Sequence, residues 1–271
     1  MANCDGNCEH CSVEGCGERI VKSKPNEFSN IKRIIGVLSG KGGVGKSFVT
    51  SSIAAYLNRN GFKVGILDAD ITGPSIPKAF GVKEKAYGEN GLIYPCKTAG
   101  GIEVMSANLL LEDEKEPIIW RGPLLGNLVK QFFEQVMWGE LDVLLIDMPP
   151  GTGDVALTTF QSLPIDDLII VTSPQDLVSL IVTKAIKMAE MMNIHVLGVV
   201  ENMSYLACPK CEEKIPLFGE SHLEDFAKEM KFNILGKLPL NSNNTALMDK
   251  GEIEKISLPE IQGIINAIKG E

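Results

Sequence analysis

From Ile34 onward the chain carries short apolar runs that do not alternate with polar residues. Val143-Leu144-Leu145-Ile146 and Leu168-Ile169-Ile170-Val171 are the clearest. A strand with one wet face alternates apolar and polar positions. An unbroken run suits a strand covered on both faces, as in a parallel sheet. The pattern predicts strands at 34–38, 64–67, 102–106, 143–146, 168–172, 196–200 and 234–236. Between them apolar residues recur at helical spacing, which predicts helices at 47–60, 122–138, 155–162, 177–193, 220–230 and 259–269. Strands alternating with helices define a doubly wound α/β domain, with a mostly parallel sheet and helices on both faces. Residues 82–101 and 203–219 show no clear period and are expected to be loops or small insertions. The polar first thirty residues read as a short Cys-rich tail and linker, leaving 31–271 as the main domain.

The strongest chemical signal sits where the first strand meets the first helix. Gly40-Lys41-Gly42-Gly43-Val44-Gly45-Lys46-Ser47 fits the phosphate-loop spacing G-x4-G-K-[ST]. Glycines let several backbone N–H groups face one anion, and the helix start adds positive potential. Lys46 is then placed for the β- and γ-phosphates of ATP, and the Ser47 hydroxyl for Mg²⁺. Lys41, a second lysine in the loop, has no obvious task in the loop itself. Across a dimer seam it would reach the partner's phosphates, acting as a finger supplied in trans.

Ligands in such sheets bind beyond the C-terminal strand ends, and carboxylates appear there. The second strand runs into Asp68-Ala69-Asp70, the fourth into Asp147. Asp147 matches the Mg²⁺-holding aspartate of the second nucleotide motif. Asp70 is read as the residue that orients water, and Asp68 as structural or Mg²⁺-linked. The glycine-rich stretch 148–154 is placed to sense the γ-phosphate.

Seven cysteines are spread unevenly. Cys4, Cys8, Cys11 and Cys16 supply four thiolates, enough for one [4Fe–4S] cluster or one zinc ion. Cys208 and Cys211, in Cys208-Pro209-Lys210-Cys211, supply only two. A closed site needs about four ligands, so a second copy of the chain would complete it across a two-fold axis. A redox pair or a broken zinc knuckle is the alternative. Cys96 is assigned no role. The net charge of −9 argues against nucleic acid or an anionic membrane as main partners, since phosphate binding needs clustered Lys and Arg. No apolar run reaches membrane-spanning length, and the first residues lack the basic and apolar regions of a signal peptide, so a reducing cytoplasm is expected.

Together these residues resemble the deviant-Walker-A ATPases, the MinD/ParA or SIMIBI class of P-loop NTPases. Within that class Asp68-Ala69-Asp70-Ile71-Thr72-Gly73-Pro74-Ser75, Trp120-Arg121-Gly122-Pro123, Glu201-Asn202-Met203-Ser204 and the C-P-x-C pair are similar to the Mrp/ApbC/Nbp iron–sulfur cluster carriers. The resemblance implies an ATP-hydrolysing homodimer that holds a [4Fe–4S] cluster between two C-P-x-C pairs. It further implies that the cluster comes from a scaffold or donor protein and passes to apo iron–sulfur proteins. It suggests Lys41 as the intermonomer lysine and Asn202 as an adenine contact, with Pro239 bordering the base and Phe48 next to the loop. The tail spacing differs from that of the eukaryotic members, so its metal is read as iron–sulfur first and zinc second. The competing readings are a MinD/ParA-type positioning ATPase and an ATP-driven electron donor.

Overall fold

The computed structural model describes residues 22–71, 73, 75–111, 122–174, 178–208, 210–219 and 221–270. Cys4, Cys8, Cys11 and Cys16 lie outside these residues, as do Thr72, Pro74, Trp120 and Arg121.

The centre is a nine-stranded sheet. Its strands in chain order are β1 (Ile34–Ser39), β2 (Val64–Asp68), β3 (Cys96–Lys97), β4 (Glu103–Ser106), β5 (Val143–Asp147), β6 (Asp167–Thr172), β7 (His195–Ala207), β8 (Lys214–Ile215) and β9 (Ile234–Pro239). The spatial order is β8-β7-β6-β1-β5-β2-β4-β3, and β9 pairs with β7. Neighbours run parallel except at the two short edges, where β8 meets β7 and β3 meets β4 antiparallel.

Helices α1 (Lys46–Arg59), α2 (Ile76–Ala79), α3 (Gly122–Gln135), α4 (Asp154–Ser162), α5 (Val178–Met191), α6 (Leu223–Met230), α7 (Ser242–Asp249) and α8 (Gln262–Lys269) cover both faces. The unbroken apolar runs explain why. On β5, Leu144 and Ile146 enter one core with Phe132 and Phe133 of α3, Phe160 of α4 and Val182 of α5. Val143 and Leu145 of the same strand enter the opposite core with Val49 and Ile53 of α1 and Ile264 and Ile265 of α8. Each fully buried Leu or Ile of this kind contributes about 1.5–3 kcal/mol, so a polar residue on either face of β5 would be costly.

The structure corrects the expected elements in several places. The segment 203–219 is not wholly irregular: β7 runs on to Ala207 and pairs with β8 around the cysteine turn. In 82–101, Tyr87–Glu89 and Leu92–Tyr94 form a hairpin, and β3 joins the sheet edge. Strands of two or three residues are too short to reveal a period. The helix expected from 220 begins at Leu223, the one expected to reach 138 ends at Gln135, and a 3-10 turn at Pro259–Ile261 precedes α8. Helices α2 and α7 were not expected at all. The α7 sequence, Ser-Asn-Asn-Thr-Ala-Leu-Met-Asp, has weak helix propensity. Asn241 offsets this by capping it, its side-chain oxygen accepting from Asn243 N at 2.8 Å.

Part of the segment read as a linker is fastened to the domain. Ser23 N donates to Ser162 O, and the Asn26 amide donates to the carbonyls of Glu134 and Val136. Asn30–Ile31 pairs with Glu140–Leu141.

Candidate functional site

Strand β1 ends at Ser39 and α1 begins at Lys46, so the loop between them is built from the predicted motif. Gly43 and Gly45 sit at φ 79° and 81°, in the left-handed region that only glycine enters freely. A Cβ on Gly45 would also strike the Asn202 amide. Gly45 offers α1 no side-chain cap, so the first N–H groups of the helix stay open toward the cavity beside it.

That cavity has a volume of about 380 Å³. Of the residues proposed from sequence, Gly42, Gly43, Gly45, Lys46, Ser47, Phe48, Asp70, Asn202 and Pro239 line it. Gly40 and Val44 belong to the loop itself, and Asn202 Nδ2 donates to Val44 O at 2.9 Å, tying β7 to the loop. Lys41 is half-buried and is not part of the cavity lining.

The strand register brings Asp68 of β2 directly beside Asp147 of β5, both fully buried. Asp147 accepts from Ser47 Oγ at 2.6 Å and from Thr50 Oγ1 at 2.8 Å. The Lys46 ammonium, 5% exposed, lies 2.9 Å from Asp147 and 3.7 Å from Asp70. It makes no hydrogen bond of good geometry, so it remains a buried donor facing an anion-sized space. Asp68 accepts from the backbone N–H groups of Asp70 and Ile76 and from Ser106 Oγ. It thereby shapes the loop that carries Asp70. Burial, followed by repulsion from Asp147, pushes the Asp68 carboxyl up to about 8. The stretch after Asp147 closes against the phosphate loop: Gly151, at φ 85°, donates its N–H to Ser39 O at 2.7 Å, and Pro150 lines the cavity.

Sequence reasoning missed the wall opposite the loop. Asn241, Asn244, Thr245 and Met248 line the cavity from one face of α7, with Met203 and Leu240 beside them. Asn244 is 6% exposed and its amide nitrogen has no partner. The spacing 241, 244, 245, 248 is helical and was the available signal.

Cys208 and Cys211 are not brought into this cavity. They sit on the turn between β7 and β8, Cys208 half-buried and Cys211 exposed, both as free thiols. Cys208 N donates to Glu213 O, and Glu212 N donates to Cys208 O. Hydrogen bonds from the Lys210 and Cys211 backbones pull the Cys208 thiol below its usual range. Among the described residues no group of three or more Cys, His, Asp or Glu could hold a metal ion. Cys96 is buried, its thiol donating to Glu84 O, and burial pushes it up. Both sites share β7. Asn202 lies on it and Cys208 directly follows its last residue, Ala207.

A parallel sheet with this loop at a strand–helix junction, and paired carboxylates on the neighbouring strand ends, defines a P-loop NTPase. A ParA family model, described as an iron-transfer P-loop NTPase of the NUBPL type, matches residues 30–269. The chain belongs to this family. An iron–sulfur cluster carrier protein of Methanocaldococcus jannaschii is 48% identical, covering 93% of this chain and 90% of its own length. One from Clostridium perfringens is 46% identical, covering 92% and 94%. A solved nucleotide-binding protein from Archaeoglobus fulgidus, in complex with ADP, is 43% identical with TM-score 0.77, covering 86% of this chain and 91% of that one. The MinD cell division protein of Aquifex aeolicus in its MinC complex, at 22% identity and TM-score 0.62, shares the fold.

Proposed function

We propose that this protein is an ATP-dependent iron–sulfur cluster carrier. In this reading it accepts a [4Fe–4S] cluster from a donor, holds it between the Cys208 and Cys211 pairs of two copies, and passes it to apo-proteins. The observation that carries the reading is the pairing of two sites on one strand. The cavity touches the bulged middle of β7, and the half-buried Cys208 and exposed Cys211 thiols follow its end. The family and the relatives named iron–sulfur cluster carrier protein support it.

The donor set fits Mg²⁺: the Ser47 hydroxyl and the buried Asp147 carboxylate are hard oxygen ligands, and Asp68 lies directly beside Asp147. Ser47 and Asp147 would hold the ion, with Asp68 behind them, and when bound it neutralises charge on the β- and γ-phosphate oxygens. Lys46 moves from its carboxylate partners to the phosphates. The open N–H groups of α1 take the remaining phosphate oxygens. Asp70, at the cavity wall, orients the attacking water. Phe48, Asn202 and Pro239 border the base and ribose. Lys41 acts across the seam of a homodimer on the partner's nucleotide. Hydrolysis is then slow and serves to time cluster release.

The apolar stripe of α8 is already used by the core: Ile264, Ile265 and Ile268 are buried. No helix among the described residues is long and apolar enough to cross a membrane. The burial of the α8 stripe favours the carrier over a membrane-cycling positioning ATPase. The N-terminal cysteines are read as a second iron–sulfur or zinc site, in a protein of the reducing cytoplasm.

The test is anaerobic iron and sulfide analysis of reconstituted wild type, Cys208→Ala and Cys211→Ala, each in a background where the four N-terminal cysteines are serine. Wild type is expected to hold one cluster per dimer and each alanine variant none, with ATP binding retained. Unchanged iron and sulfide in either variant would overturn the proposal.

A further inference from the structure

Glu201 is a buried carboxylate that belongs to neither site. Glu201, 1% exposed, precedes the cavity residues Asn202 and Met203 on β7. A buried carboxylate is costly unless its oxygens are partnered, and three segments converge to partner this one. Ser204 Oγ donates to Oε2 and Ser221 Oγ to Oε1, each at 2.6 Å. Lys237 Nζ lies 3.8 Å from Oε2 and bridges to Glu224 at 2.5 Å.

The partners come from informative places. Ser204 lies on the outgoing arm of β7, which leads to Cys208. Ser221 lies on the returning arm, between β8 and α6. Lys237 lies on β9, two residues before Pro239 of the cavity wall. At this point β7 slips register against β9, between Glu201 and Tyr205. Met203, inside the slip, has φ 57°, a left-handed conformation that a non-glycine residue keeps only when its surroundings impose it. The bulge therefore touches the nucleotide cavity on one side, and Glu201 grips both roots of the cysteine hairpin on the other.

We propose that Glu201 is a positioning residue that couples occupancy of the nucleotide cavity to the exposure and geometry of the Cys208–Cys211 turn. A base or ribose resting against Met203 shifts the bulge. Because Ser204 and Ser221 are bonded to the same carboxylate, both arms of the hairpin follow. Without the carboxylate the arms lose their shared anchor and the hairpin no longer reports on the cavity. This inference rests on the proposed function, in which nucleotide state governs cluster handling.

The experiment compares full-length wild type, Glu201→Gln and Ser221→Ala. Iodoacetamide labelling rates of Cys208 and Cys211 are read by peptide mass analysis in cluster-free protein, with and without ADP or a non-hydrolysable ATP analogue. Chelator capture of iron from reconstituted protein is the second readout. In wild type, nucleotide is expected to change both rates by a factor within the usual range of coupling, about 5–150-fold. Glu201→Gln brings the ratio close to one. Ser221→Ala, remote from the cavity, lowers the ratio and leaves ATP affinity as in wild type, while the melting temperature falls for want of one hydrogen bond to a buried carboxylate. A merely structural role would lower the melting temperature and leave the ratio intact. The proposal is overturned if both variants keep the wild-type ratio, or if nucleotide leaves wild-type labelling unchanged. Should Glu201→Gln fail to fold, Ser221→Ala and Lys237→Met decide the matter alone. Labelling needs no cluster, so a wild type that binds nucleotide but no iron–sulfur would sink the carrier reading while this arm still returns an answer.

Discussion

The phosphate-loop end of the sheet and the cysteine turn are built on opposite principles. At the loop, Lys46, Asp68 and Asp147 are buried, and Ser47, Thr50, Ser106 and two backbone N–H groups fix the carboxylates. At the turn, Cys211 is exposed, and Ile215, Leu217 and Phe218 beyond it lie open. The first region is pre-organised for charge, which electrostatic stabilisation of phosphoryl transfer requires. The second is largely exposed, which suits the uptake and release of cargo under the proposed function. Local stability follows burial and contact density, so a single domain can hold a rigid site and a labile one on the same strand.

The contrast can be broken most severely at Lys41 and Lys46. Lys41→Ala is expected to slow ATP turnover by about 10³–10⁵-fold, the usual worth of a cation supplied in trans, while nucleotide affinity falls far less. Steady-state phosphate release beside calorimetric binding measures both, and an unchanged turnover would remove Lys41 from the mechanism. Lys46→Ala is expected to cost about 10²–10³-fold in turnover and to weaken nucleotide binding as well. Equal ATP affinity in wild type and variant would contradict the assignment.

The next effect concerns pH. Burial and the neighbouring Asp147 push the Asp68 carboxyl up to about 8 in the fold, against an ordinary carboxyl value near 4 in the unfolded chain. Between those values the folded state keeps a proton that the unfolded chain has lost. The contribution of Asp68 to stability is therefore full below about pH 4 and lost as pH rises through about 8, each unit being worth about 1.4 kcal/mol at most. Asp68→Asn removes this slope, so denaturant midpoints measured across that window should fall less steeply with pH than in wild type. Identical slopes would mean that Asp68 keeps its charge when buried. The smallest effect is expected at the turn. Phe218→Ser, at a site 46% exposed, should shift stability by no more than about 0.5 kcal/mol. A loss of several times that in urea unfolding would mean that the turn is as tightly held as the loop.

Much of the candidate site was legible because its signals are local. Glycines at 43 and 45 announce a backbone that must adopt positive φ, and the lysine and serine follow at fixed offsets. Asp68 and Asp147 could be picked out individually as strand-end carboxylates. Their lying side by side could not, because it depends on β5 inserting between β1 and β2. Helix α7 was missed because its Asn-rich sequence has weak helix propensity and is held helical by its cap and its packing, yet it supplies one wall of the cavity. The continuation of β7 past Asn202 was hidden by the register slip and by Met203, which interrupt the strand pattern.

Sequence alone therefore determined the layers of the fold and the phosphate loop, since an apolar run covered on both faces and a glycine-lysine loop carry their reasons within a few consecutive residues. Only the tertiary structure decided which carboxylates share a charge problem, that α7 completes the cavity, and that Glu201 meets Ser204, Ser221 and Lys237. Those outcomes turn on sheet order and on contacts between distant segments, which no local pattern of side chains encodes.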